Sequence, residues 1–507
     1  MTWTDKRVVI LGIARQGTAL ARYLVAHGAR VTLSDTKPRE QLDLQPVADL
    51  PVNFVLGGHP LTLLDACDVL CLSGGVPSDL PIVREARRRG IPLSNDAQIF
   101  FEACPAPIIG ITGSAGKTTT TTLVGEILKA SVAHGDPAAE SGDRPLLDST
   151  PPIRNSVWVG GNIGNPLIGD VERIWPQDYV VMELSSFQLE LMTRSPHIAC
   201  ITNITPNHLD RHGTMEAYIA AKKRILDFQS PDDWQVLSAD DAVTSGLSAS
   251  ARTLWFSTRR EPPADGAWLD EAGYLRVRAH MTRSGQPSTS QLPSSIDAVI
   301  CHRRELLLMG EHNIANMLAA AAVCAAAGAA VEAMRRVATT FRGVAHRLQL
   351  VAERDGVRWY DDSIATAPER LMAALKCFDQ PVILLCGGRD KHLPWDDAVR
   401  MMLERCKAVV LFGEMGPMVA EKLKIENEKL KRAGYFLNSP FSILNSLEEA
   451  VAEARRLAQP GDVVLLSPGG TSYDAFKDFA ERGDRFRAWV NAPSLPGTID
   501  DVEVQER

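Results

Sequence analysis

A chain that places Gly110-Ile-Thr-Gly-Ser-Ala-Gly-Lys-Thr118 between an apolar pair, Ile108-Ile109, and a helix-forming run, Thr119 to Ala130, has few folds open to it. Strand, glycine loop and helix in that order make a phosphate cradle. Backbone N–H groups at the helix N-terminus point at the anion, and the helix dipole favours negative charge there. Lys117 has the reach to touch outer phosphates, and the Thr118 hydroxyl suits Mg²⁺. The loop is not a strict Walker A sequence: Ile111 stands where the first glycine falls, and the pattern reads Gly113-x-x-Gly116-Lys117-Thr118. A glycine turn beside a surface lysine is the plainer reading. The flanking strand and helix favour an ATP-binding loop.

The remaining bounds are broad. A length of 507 residues suggests about three domains. A formal net charge of −8 argues against a nucleic-acid partner, which would want a basic face. The nine cysteines include no Cys-x-x-Cys pair, so neither a zinc site nor a disulfide framework is indicated, and reduced thiols in a cytoplasmic protein fit best. Met1 to Gly17 lacks a signal-peptide pattern, and no stretch approaches the roughly 20 apolar residues of a membrane span.

Along the chain, the expected architecture is α/β in three domains: a Rossmann-like N-terminal domain (1–99), a central P-loop ATPase-type domain (100–343) and a C-terminal doubly wound Rossmann-like domain (344–507). Arg7 to Leu11 reads as a buried parallel strand, followed by the loop Gly12 to Gly17, a helix from Thr18 to His27, and a strand Val31 to Asp35. An acid after the second strand can accept hydrogen bonds from a ligand. Ala14 replaces the central glycine of the dinucleotide fingerprint, so a βαβ unit that binds nothing also stays open. Asp68 to Leu72 ends in Ser73-Gly74-Gly75, small residues at a strand's carboxyl end. In the second domain Tyr179 to Met182 delivers Glu183, the expected second Mg²⁺ anchor beside the loop. The helix Met215 to Phe228 puts Lys222 in the centre of its apolar stripe. A buried lysine is costly unless paired or neutralised, though a snorkelling lysine gives the same pattern. Residues 131–154 and 240–300 read as insertions, and the tail after Asn491 as frayed. In the third domain, strands at Val357–Tyr360, Pro381–Leu385, Ala408–Phe412 and Asp462–Leu466 alternate with helices, which gives a second doubly wound sheet.

The motifs Gly110 to Thr120, Glu183-Leu-Ser-Ser-Phe-Gln188, Asn207-His-Leu-Asp-Arg211, Gly310-Glu-His-Asn-Ile-Ala-Asn316, Ala345-His-Arg347 and Ser467-Pro-x-x-x-Ser472 occur in one order. Together they resemble the Mur ligases of peptidoglycan synthesis, and among them the branch that adds D-glutamate, over nearly the whole chain. The resemblance implies a cytoplasmic, monomeric enzyme that uses ATP to join D-glutamate to UDP-N-acetylmuramoyl-L-alanine through an acyl phosphate. It implies a UDP-sugar site at Gly12, Arg15, Gln16, Gly17, Asp35, Thr36, Ser73, Gly74, Asn162, Ser185 and Gln188. ATP would meet Gly113, Ser114, Ala115, Gly116, Lys117, Thr118, Thr119, Asn316, Arg347 and Asp362. Two Mg²⁺ are implied, one on Thr118 and Glu183, the other on His208 and Lys222, the lysine being carried as a carbamate. Lys117, Glu183, His208 and Lys222 would form the catalytic set. Glutamate would meet Thr366, Lys391, Ser472, Tyr473 and Phe479.

Two positions depart from the family pattern. Ile364 in Asp362-Ser-Ile-Ala-Thr366 replaces a lysine, and Gly469-Gly470-Thr471 stands where Ala and Cys or Ser are usual. Other readings are a ligase adding another amino acid such as L-glutamate, a regulatory P-loop NTPase, and a nicotinamide-dependent dehydrogenase. The NTPase leaves the first and last sheets unexplained. Ala14 and the ATP loop count against the dehydrogenase. Ser472 also has a purely structural reading, as the cap of the helix that follows.

Overall fold

The computed structural model describes residues 2–135, 156–162, 164, 166–280, 295–308, 310–391, 393–432 and 440–492. Most of the insertion expected at 131–154, part of that at 240–300, and the tail from 493 lie outside them. The chain divides into two compact units, Met1–Phe341 and Arg342–Arg507.

The first unit holds two sheets. One is parallel and five-stranded, in the order Asn53–Leu56, Arg30–Asp35, Arg7–Leu11, Val69–Leu72, Leu93–Ser94. In Arg7–Leu11 every residue after the arginine is buried, as a strand covered on both faces requires. Alternate side chains go to opposite faces. Val8 and Ile10 pack with Leu20, Ala21 and Leu24 of the helix Arg15–Ala26, while Val9 and Leu11 pack with Ile82, Val83 and Ala86 of the helix Pro81–Arg88. The chain reverses direction across the sheet between Arg7–Leu11 and Val69–Leu72, so their carboxyl ends open the crevice where α/β sheets bind ligands. The first helix starts at Arg15, three residues before the expected Thr18: Ala14 is already extended at φ −106°, and Arg15 to Gly17 form the first turn.

The second sheet has nine strands, in the order Ser295–His302, Tyr274–His280, Gly266–Leu269, Arg252–Ser257, Trp234–Ser238, Ile198–Ile201, Ile108–Thr112, Tyr179–Glu183, Val157–Gly161. All pairings are parallel except the two that join Gly266–Leu269 to Tyr274–His280 and the latter to Ser295–His302. The described part of 240–300 contributes four strands to this sheet, with buried Leu254, Phe256, Ala267, Leu275 and Val277 carrying the core outward. The helix Glu311–Ala326 buries Met317 to Ala325 against Leu123, Val124, Ile127 and Leu128 of the helix Lys117–Gly135. Alanine's small side chain permits that approach and favours the helix. The opposite face of the sheet shares one core with the first sheet, where Val180, Met182, Ala199 and Ile201 join Val8, Ile10 and Phe100. This continuity makes the two sheets one unit.

The second unit has one six-stranded sheet, in the order Gln349–Arg354, Val357–Asp361, Val463–Gly469, Val382–Gly387, Cys406–Phe412, Phe441–Leu444, parallel except for its first pairing. The four inner strands are those expected. The two edge strands were not, because each is only half-buried and lacks a continuous apolar run.

None of the nine cysteines forms a disulfide; Cys104 and Cys377 are partly exposed and the other seven are buried. Among the described residues no helix is long and apolar enough to cross a membrane.

Candidate active site

The phosphate-loop strand Ile108–Thr112 lies between Tyr179–Glu183 and Ile198–Ile201, so the residues ending those strands flank the loop. On one side the Thr118 hydroxyl donates to Glu183 Oε2 at 2.8 Å, and Asn162 Nδ2 donates to Oε1 at 3.0 Å. Asn162 thus faces the carboxylate beside the loop in this structure. On the other side Asn203 Oδ1 accepts from the Ala115 amide at 2.9 Å, and the Thr202 hydroxyl donates to the Ala115 carbonyl at 2.6 Å. Gly116 has φ +81°, and a Cβ there would lie 2.2 Å from Asn316 Oδ1, so only glycine fits. Asn316 is buried and accepts from Thr120 Oγ1 at 3.4 Å, bracing the loop and its helix. Thr119 is buried in the first turn. Lys117 Nζ donates to the carbonyls of Gly113 at 2.9 Å and Ser114 at 3.4 Å, folding back over its own loop.

Lys222 is 1% exposed and donates to the Gly113 carbonyl at 2.8 Å. It is a buried lysine beside the phosphate loop, and the snorkelling alternative is set aside. Burial, then the charge of Lys117, pull its pKa down to about 7, with Glu183 opposing. Its helix, Met215–Lys223, stops short of the expected Phe228: the amides of Ile225 and Leu226 turn back to Lys222 and Lys223 carbonyls three residues earlier. His208 has left-handed backbone, φ +52°, and is exposed, with its ring 5.5 Å from that of Phe187.

At the crevice of the first sheet, Gln16 Oε1 accepts from the Gly74 amide at 3.0 Å, which joins the loops Gly12–Gly17 and Ser73–Gly75. The buried Ser73 hydroxyl has no hydrogen-bond partner among the described residues. An orphaned hydroxyl at a strand's carboxyl end fits a ligand that accepts from it. Asp35 accepts from the amides of Ile13 at 2.9 Å and Lys37 at 3.0 Å, holding the loop, with Thr36 exposed next to it. Arg15 reaches the Gly164 carbonyl at 2.8 Å. Ser185 and Gln188 form a capping box on the short helix Ser186–Leu189. Gln188 also donates to buried Asp96 at 3.4 Å, and burial pushes that carboxyl up to about 6.

In the second unit Asp362 is buried, accepting from Ser467 Oγ at 2.9 Å and the Leu348 amide at 3.2 Å. Burial raises its pKa to about 7, against these hydrogen bonds and the charge of Arg347. Lys391 Nζ donates to Thr366 Oγ1 at 3.0 Å. Ser472 is buried, while Tyr473 and Phe479 are 64% and 37% exposed. Ser472 does not cap the following helix, Phe479–Asn491; Asp478 does, accepting from the Glu481 amide at 2.9 Å. The departure at Gly469 has a steric cause: a Cβ there would lie 2.5 Å from the buried Trp395 ring. Nothing in the structure explains Ile364.

Sequence reasoning missed several supporting groups. Tyr218 is a buried aromatic of the Lys222 helix, and its hydroxyl shares a hydrogen bond of 3.0 Å with Ser114. Arg482 is fully buried, donating to the Ser363 hydroxyl at 2.9 Å and the Gly470 carbonyl at 3.2 Å, so it ties two loops together. Its only signal was a charge inside an amphipathic helix.

Three family models match the chain: the Mur ligase MurD-like N-terminal domain over 6–95, the Mur ligase middle domain over 111–324, and the Mur ligase glutamate ligase domain over 346–470. The UDP-N-acetylmuramoylalanine–D-glutamate ligase of Symbiobacterium thermophilum is 42% identical over 494 residues, which are 97% of this chain and 99% of that protein. The enzyme of the same name from Acetivibrio thermocellus is 38% identical over 96% of this chain and 97% of its own. The crystal structure of UDP-N-acetylmuramate–alanine ligase from Thermotoga maritima shares the fold, with a TM-score of 0.52 at 19% identity over 95% of this chain and 98% of that one. With relatives this similar matched from end to end, the chain belongs to the UDP-N-acetylmuramoylalanine–D-glutamate ligase family of the Mur ligases.

Proposed function

We propose that the chain is the ATP-dependent ligase that joins D-glutamate to UDP-N-acetylmuramoyl-L-alanine in peptidoglycan precursor synthesis. The observation that carries the reading is the contact of Thr118 and Glu183 at 2.8 Å beside a glycine loop, in a chain 42% identical to such a ligase. In the first step the alanyl carboxylate attacks the γ-phosphorus of ATP, an O–P bond forms, and ADP leaves. In the second the glutamate amine attacks the acyl carbon. A C–N bond forms, the C–O bond to phosphate breaks, and the amine releases a proton.

The chain's own part is positioning and charge. Lys117 turns from its loop carbonyls to the outer phosphates. The helix Lys117–Gly135 presents its amino end to them. Thr118 and Glu183 are hard oxygen donors that suit Mg²⁺, which when bound neutralises phosphate charge. Mg²⁺ bound by one or two protein oxygens keeps waters and phosphate oxygens in the rest of its shell.

A second ion on His208 and Lys222 requires the lysine as a carbamate. Its depressed pKa supports that chemistry, since a neutral amine attacks CO₂, a C–N bond forms, a proton leaves, and a carboxylate results. In this reading residues 1–99 hold the UDP-sugar, through Gly12 to Gly17, Asp35, Thr36, Ser73 and Gly74, with Arg15, Asn162, Ser185 and Gln188 near its sugar end. Residues 100–343 carry the phosphate loop and Asn316. Residues 344–507 carry Arg347 and Asp362 for ATP, and Thr366, Lys391, Ser472, Tyr473 and Phe479 for glutamate. The protein works as a cytoplasmic monomer.

The test is ADP release with UDP-N-acetylmuramoyl-L-alanine and each of D-glutamate, L-glutamate and other amino acids. D-glutamate alone should support turnover. A preference for L-glutamate would move Ile364 and Gly469 into a differently shaped pocket and replace the amino acid in this reading.

A further inference from the structure

Ser186, His212 and Glu190 form a hydrogen-bonded chain in the first unit that the proposed chemistry does not use. His212 Nε2 is 2.9 Å from Ser186 Oγ, and its Nδ1 is 3.0 Å from Glu190 Oε1. The order serine, histidine, acid is that of a nucleophilic triad, but Ser186 is 3% exposed, so no substrate reaches its hydroxyl. What the chain does accomplish is to hold the imidazole still. With both ring nitrogens engaged, the ring cannot rotate or flip without losing a partner.

The pinned ring lies parallel to Phe187, with centroids 5.1 Å apart and planes 2° from each other. Phe187 meets the His208 ring edge-on at 5.5 Å and 64°, and the Arg211 guanidinium sits 4.8 Å from the Phe187 centroid. The His212 amide also donates to the His208 carbonyl at 3.0 Å, which helps hold the left-handed backbone of His208. His208 is exposed, its ring meets Phe187 edge-on, and Phe187 in turn lies flat on the ring of His212. Groups that fix the orientation of a metal-binding histidine tune its affinity without touching the ion.

We propose that His212 is a positioning residue whose imidazole, pinned by Ser186 and Glu190, fixes Phe187 and through it the ring of His208. The proposal rests on the reading of His208 as a metal ligand. It places Ser186 and Glu190 outside substrate binding and gives them one task, the orientation of the His212 ring.

The test measures Mn²⁺ binding by electron paramagnetic resonance in the presence of ADP and phosphate, together with the Mg²⁺ dependence of turnover and the melting temperature. His212→Leu should weaken Mn²⁺ binding and raise the half-maximal Mg²⁺ concentration about tenfold, with the KM for ATP unchanged. His212→Phe, which keeps a ring for Phe187 to lie on, should recover part of that loss. Ser186→Ala and Glu190→Gln each remove one pin and should show the same effect at smaller size, which keeps the test alive if His212→Leu fails to fold. Native Mn²⁺ affinity in folded Ser186→Ala and Glu190→Gln, or a lower melting temperature with metal binding intact, overturns the proposal. His208→Ala separates the two readings. If it leaves Mn²⁺ binding unchanged, His208 is not a ligand; if it abolishes part of the binding while the His212 variants do not, the positioning role alone is wrong.

Discussion

At the scale of single residues, three charges decide the chemistry. Lys117 is held by the carbonyls of its own loop, which keeps its cation at the place where the outer phosphates bind. Lys117→Ala should lose about 10³-fold in ADP release, the scale of other groups that stabilise developing charge. Near-native turnover would remove the loop from the mechanism. Lys222→Ala should be close to inactive, with partial recovery when small carboxylates in the buffer supply the missing oxygen ligand. Lys222→Arg should fail and resist rescue, because a guanidinium stays charged and cannot bind a metal. Asp362 makes a prediction about stability. Its folded pKa lies near 7 and its ordinary value is 3.8, so between those values the native state keeps a proton that the unfolded chain has released. That contribution is fully present below the ordinary value and is lost as pH rises through the folded one. Melting curves should therefore show Asp362→Asn gaining on the native protein from pH 4 to 7, with a constant difference above. A difference that does not change with pH would mean the carboxyl titrates normally.

At the scale of elements, caps and edges separate what the sequence disclosed from what it concealed. Asp478 closes the helix Phe479–Asn491, so Asp478→Ala should cost about 1 kcal/mol of stability. Ser472→Ala should leave the melting temperature in place and raise the KM for D-glutamate about tenfold to a hundredfold, the loss of one hydrogen bond to a charged group. KM values unchanged from the native protein for all three substrates would return Ser472 to a structural role. The inner strands were legible because each is a continuous apolar run beside a turn, as in Arg7–Leu11 and Val382–Gly387. Edge strands such as Gln349–Arg354 hid because none of their residues is fully buried. The loop around Lys117 was legible from its glycines taken together with the strand before it and the helix after it. The pairing of Asn162 with Glu183, and the support of Phe187 by His212, were not, since each depends on which side chains meet between segments separated in sequence.

At the scale of the whole molecule, two units share one chain, and the first owes its unity to a core that runs from one sheet into the next. The distribution of the thiols turns that division into a measurement. Cys104 of the first unit and Cys377 of the second are partly exposed, and the seven buried cysteines divide as five in the first unit and two in the second. A chromogenic disulfide reagent should titrate two groups quickly in the native protein, one from each unit, and the rest at rates set by opening. Raising denaturant in steps should release the buried groups in sets of five and two if the units open independently, and together if they do not. Adding ATP should slow the set of five, because the phosphate loop belongs to the first unit and a ligand held by the folded form suppresses its opening by mass action. The protein thus carries its own reporter of which half has come apart, with no label introduced and no residue changed.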